Sequence, residues 1–179
     1  MNLNLEVLYQ AVHDLSFAVY VGTLVYSEFV LEPAASAVAP AQGAVVRRRA
    51  GERHMLINWS ALLLLLITGV LRLGYMNLLA FPGTFFLTTR VASSAYGRTI
   101  FTMFGLWCVL AALGLLMTFA LRPVLIGKID PTLTSSERER RQQRMVSAAR
   151  MMTIVMRADL AIAVVIAVLG VSLGSGGLI

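Results

Sequence analysis

Long apolar stretches alternate with short polar ones along this chain, and four of them are long enough to cross a bilayer. Crossing roughly 30 Å of hydrocarbon takes about 20 helical residues. The first stretch runs from Leu8 to Leu31, and Pro33 predicts its end. The second runs from near His54 to Met76 through the unbroken apolar segment Ala61 to Ile67. The third runs from Tyr96 to Arg122, ahead of Pro123. The fourth runs from Ala148 to Leu173, ahead of a flexible tail, Gly174-Ser175-Gly176-Gly177. Lipid offers no partner to backbone N–H and C=O groups, so each segment must satisfy its own as a helix. The pattern predicts one all-α integral membrane domain, a four-helix bundle spanning at 8–31, 54–76, 96–122 and 148–173. The first stretch has no basic leader, is too long, and lacks a small-residue cleavage site. It is therefore expected to be a retained span rather than a signal peptide.

The connections differ in character. Residues 32–53 are rich in Ala and Pro and read as irregular. Within 123–147, Thr134 and Glu137 have capping-box spacing. That predicts an early start to the fourth helix, basic and water-exposed from Arg138 to Arg150, at a level where anionic headgroups attract each basic residue by about 1 kcal/mol. The connection 77–95 carries Leu78-Leu79-Ala80-Phe81-Pro82-Gly83 and Phe85-Phe86-Leu87. It is too apolar for a free loop and is expected on the membrane surface or under a partner.

Composition narrows the class. Of 179 residues, 58% are hydrophobic and 13% charged, with mean hydropathy +0.79, whereas soluble domains run near 45–50% apolar and about 25% charged. The single cysteine excludes a disulfide framework, an iron–sulfur cluster and a c-type haem attachment. The net charge of +6 is mostly a topology signal. Eleven basic residues (Arg47, Arg48, Arg49, Arg53, Arg122, Lys128, Arg138, Arg140, Arg141, Arg144 and Arg150) flank the first and third connections. Only Arg72, Arg90 and Arg98 fall on the other side. The positive-inside rule then predicts N-out/C-out topology in a bacterial inner membrane. Tyr9, Tyr75 and Tyr96 fall at the outer boundary, where an aromatic belt belongs. The partners expected are the bilayer and other membrane subunits, with no nucleic acid.

Ionisable groups within spans are costly enough to be functional hypotheses. Asp14, Glu28, Arg72, Arg157 and Asp159 qualify. The simplest reading is two ion pairs tying the bundle together, Asp14 with Arg72 outside and Glu28 with Arg157 inside, Asp159 lying beside the latter. A proton path or ligand-anchoring role is the competing reading. Among metal candidates, His13 stands in the outer part of the first span. A haem b needs it as one axial ligand, with Met76, Met103 or no residue as the other. His54 opens the second span on the opposite side, so one iron cannot take both histidines; it is expected at the interface. Nine methionines invite a copper reading, but their scatter favours packing. Cys108 reads as a small buried hydrophobe. Trp107, far from the interfacial zone tryptophan prefers, is expected to wall a cofactor pocket or meet a partner helix.

Several short motifs are similar to those of one family. His13-Asp14-Leu15 followed by Tyr20-Val21-Gly22, Arg53 and Ile57 leading to Ile67-Thr68-Gly69, Tyr96-Gly97-Arg98-Thr99, and Arg150 with Arg157-x-Asp159-Leu160 resemble the four helices of copper-resistance D-type membrane proteins. That group is related to the membrane domain found ahead of some urate oxidases. The resemblance implies a four-helix bundle associated with copper handling or haem b, with only His13 carried over as a ligand. The family's lysine after Tyr-Gly is replaced here by Thr102 and Met103, which counts against copper transport.

These readings leave three functions. A haem b-binding, redox-associated protein acting through His13 comes first. A non-catalytic accessory or structural subunit comes second, and copper or small-solute transport third. No nucleophile–base pair, phosphate loop or metal triad marks an independent enzyme.

Overall fold

The computed structural model describes residues 3–79, 89–126 and 134–178. They form a four-helix bundle with no strand element among the described residues. Helix α1 comprises Leu3–Tyr26, a π-helical segment Ser27–Leu31, and a last turn Glu32–Ser36. Helix α2 is Pro40–Tyr75. Helix α3 comprises Ala95–Leu115, a second π-helical segment Leu116–Leu121, and Arg122–Ile126. Helix α4 is Ser135–Leu173. All four are long and apolar enough to cross a membrane. Residues 80–88 of the apolar 77–95 connection lie outside the described residues, as does Lys128.

Two expectations about helix ends change. Neither Pro33 nor Pro123 stops its helix; each lies two residues past a π-helical segment, and the chain stays helical to Ser36 and Ile126. Proline in an α-helix lacks the i→i−4 donor and its ring strikes the carbonyl four residues back. A π turn bonds five residues back instead and so widens the helix. Glu32 N–H accordingly donates to Ser27 O, and Arg122 N–H to Met117 O. The irregular stretch within 32–53 shrinks to Ala37–Ala39, because α2 opens with Pro40, a residue suited to a helix's first turn.

At 1.5 Å per residue, the 36 residues of α2 and 39 of α4 measure roughly 54 and 58 Å, well beyond the hydrocarbon thickness. The excess lies at one end of the bundle and carries the arginines of both basic connections. Helix α4 starts where its capping box predicts: Thr134 N–H donates to Glu137 Oε2 at 2.9 Å. Outside the spans, those bonds hold the exposed Glu137 carboxyl below the usual range.

The glycine-rich tail is not loose. Gly176 and Gly177 take φ of +98° and +97°, which reverses the chain. Gly177 N–H donates to Ser172 O at 3.0 Å, and Leu178 N–H reaches Thr99 Oγ1 of α3 at 3.2 Å. A Cβ on Gly177 would lie 2.8 Å from the Ala95 backbone, so only glycine fits there.

The helices associate mainly as two pairs, α1 with α2 and α3 with α4; α1 also packs on α4. Their shared core is Tyr20, Leu24, Ala61, Leu62, Leu110, Ala163 and Ile166. Helix α4 contributes a stripe at three- and four-residue spacing, Val155, Asp159, Ala163, Ile166 and Leu169, all buried. Asp159 is the polar member of that stripe, and this register carries it into the bundle.

Candidate functional site

The polar groups of the spans gather between helices. His13, half-buried, has its Nδ1 3.0 Å from Thr68 Oγ1 of α2. The Thr68 hydroxyl gives its single proton to Leu64 O at 2.6 Å. It therefore accepts from His13 Nδ1–H, which fixes the ring against α2. A Cβ on Gly69 would stand 3.4 Å from His13 Cε1, so the small residue after Thr68 gives the ring its seat. The Thr-Gly pair of the second span is thus the receptor for the histidine of the first.

Nearer the basic end, a chain of bonds joins α1 to α2. Ser27 Oγ lies 2.9 Å from His54 Nδ1, His54 Nε2 lies 2.9 Å from Asn58 Nδ2, and the Thr23 hydroxyl donates to Asn58 Oδ1. His54 is therefore engaged at both nitrogens between helices, not merely interfacial. Thr23 and Ser27 are four residues apart, as are His54 and Asn58. Those i,i+4 polar pairs were the signal in the sequence that could have revealed this seam.

The ionisable residues sort differently from expectation. Arg157 Nε lies 2.7 Å from Glu28 Oε1, forming the inner pair. No Asp14–Arg72 pair forms: Asp14 is exposed, and Arg72 Nε is buried without a partner among the described residues. Asp159 joins no cation either. Tyr20 OH donates to its Oδ2 at 2.7 Å, and both residues are 1% exposed. Asp159 Oδ1 has no partner among the described residues.

Met76, Met103 and Trp107, named with His13 as haem surroundings, each engage other groups. Met103 packs on the core and approaches Gly170 of α4. Met76 caps the end of α2 and is exposed. Trp107 donates its indole N–H to Leu62 O at 3.2 Å and stacks on Phe104, 6.2 Å between centroids. No group of three or more His, Cys, Asp or Glu among the described residues is placed to hold a metal ion. Cys108, expected in the core, is exposed on α3.

The second tryptophan mirrors the first. Trp59 N–H donates to Thr118 Oγ1 at 3.1 Å, its ring lying against Gly114. Trp59 reaches from α2 to α3 and Trp107 from α3 to α2. At the basic end Arg122 of α3 adds an ion pair to Glu52 of α2 at 3.8 Å.

Comparison with known protein families, with curated proteins and with solved structures finds no match to this chain.

Proposed function

We propose that this chain is a non-catalytic subunit of a larger assembly in a bacterial inner membrane, with its basic end in the cytoplasm and both termini outside. The observation that carries this reading is the use of the polar groups within the spans. Tyr20 with Asp159, Glu28 with Arg157, His54 with Ser27, Asn58 with Thr23, and both indoles each hold one helix to another. Groups bonded in this way build a scaffold and do not form a reaction centre. The orientation rests on the eleven basic residues of the two connections. The long starts of α2 and α4 then carry their arginines into water, where a partner subunit can reach them. The test is purification from native membranes in mild detergent. Stoichiometric partners, lost when Arg140 and Arg144 are replaced by Glu, support the reading; a stable, solitary wild-type chain overturns it.

A second reading keeps His13 as a ligand to a haem b or copper ion shared with another subunit. It is supported by the Nδ1–H held by Thr68 on a half-buried ring, because metal-ligating histidines commonly have one ring nitrogen fixed in this way. A spectrum of the purified complex, before and after dithionite, separates the two. A Soret band, or copper found by elemental analysis, that His13→Ala removes supports this second reading, and an assembled complex with neither overturns it.

A further inference from the structure

Between α1 and α2, on the outer face of the bundle, runs a groove of about 980 Å³. Charged, polar and apolar residues all line it. At the deep end stands the exposed Val19, and the exposed Ile57 lies one turn of α2 from His54. In the middle the floor is Gly22 with the Thr23, Ser27 and His54 seam. At the basic end stand Arg49 and Arg53, four residues apart on one face of α2.

The charges at that mouth are unevenly matched. Arg47 is taken up by Glu32. Glu52 also lines the mouth but is paired with Arg48 and Arg122, whereas Arg49 and Arg53 have no ion pair or hydrogen bond among the described residues. The π-helical segment of α1 contributes both of its ends, Ser27 and Leu31, to the groove wall. Such widened turns occur frequently at functional sites. At Gly22 an added Cβ would meet no atom within 4 Å, so the groove floor is open there.

We propose that this groove holds one anionic phospholipid. Its phosphate lies between Arg49 and Arg53, its glycerol backbone over the Thr23–Ser27–His54 floor, and one acyl chain along Gly22, Val19 and Ile57. A diacyl phospholipid carries the same three kinds of group: charged, polar and apolar. Guanidinium groups suit its phosphate oxygens through paired N–H donors. An anionic headgroup is favoured over a zwitterionic one by the positive charges of Arg49 and Arg53. At about 1 kcal/mol per basic residue near a membrane surface, two arginines give a preference of roughly 30-fold. The inference is independent of the subunit reading, since a scaffold or a metal carrier can hold a structural lipid equally well.

The experiment is native mass spectrometry of the detergent-purified full chain, offered phosphatidylglycerol and phosphatidylcholine in equal amounts. The wild type retains one phosphatidylglycerol in preference, and an excess of inorganic phosphate does not displace it. The R49Q/R53Q double variant, changed only at exposed side chains, loses that preference. Gly22→Leu fills the groove floor without altering charge and loses retention of both lipids. The proposal is overturned by unchanged preference in the double variant, by unchanged retention in Gly22→Leu, or by displacement with phosphate alone.

Discussion

The Tyr20 hydroxyl and the Asp159 carboxylate, 139 positions apart in sequence, meet 2.7 Å apart between α1 and α4, each 1% exposed. No cation stands in this contact, and the tyrosine proton is the hydrogen bond that Asp159 Oδ2 receives. Removing the donor leaves a buried acceptor unsatisfied, which costs about 1–3 kcal/mol. Tyr20→Phe is expected to lower the melting temperature in detergent accordingly. Adding Asp159→Leu to it should recover most of the loss, because replacing both members of a buried polar pair is often close to neutral. Additive losses in the double variant would show that the two side chains are not coupled.

The π-helical segment at Ser27–Leu31 and Pro33 are expected to depend on one another. Deleting the exposed Val30 turns the segment α-helical and forces the proline ring against the carbonyl four residues back, a cost of about 3 kcal/mol. In a Pro33→Ala background the same deletion should cost little. Thermal melts of the four variants test this; equal cost of the deletion in both backgrounds refutes it.

His13 is expected as a single tautomer, with its proton on Nδ1. Imidazole ¹⁵N shifts of the wild type should show that form, and Thr68→Val should yield a mixture with a stability loss of about 1 kcal/mol. A mixture already present in the wild type would contradict the bond.

Cys108 faces outward on α3 at mid-span, so lipid rather than protein should cover it. In reconstituted vesicles it should resist a membrane-impermeant maleimide, while Ser136→Cys in a Cys108→Ala background should react on the basic side. Ready labelling of Cys108 would remove α3 from the bilayer.

The sequence was informative where a pattern is local and failed where two distant segments must meet. Four apolar stretches read directly as four helices, and Thr134 with Glu137 marked the start of α4, because hydropathy and caps act within a few residues. The Glu28–Arg157 pair was legible since opposite charges in lipid have few alternatives. Pro33 and Pro123 misled because a π turn leaves no mark in composition. Asp159 was assigned beside a cation because a tyrosine counts as apolar until its hydroxyl is located. His54 looked interfacial for a similar reason: its partners Ser27 and Asn58 are small polar residues on helices that otherwise read as apolar. Cys108 reads as buried by residue type, but in a membrane bundle an apolar residue gains as much from lipid as from a core.

The two tryptophans are the only two in the chain, and both bridge α2 and α3, where association rests on long side chains more than on close backbone packing. Intrinsic fluorescence of this protein is therefore a gauge of one boundary. Emission will shift when the α1–α2 half separates from the α3–α4 half. It will stay nearly silent when either half loosens internally. A fluorescence melt and a helicity melt consequently measure different events, and the gap between their midpoints reads out how tightly the two halves are coupled.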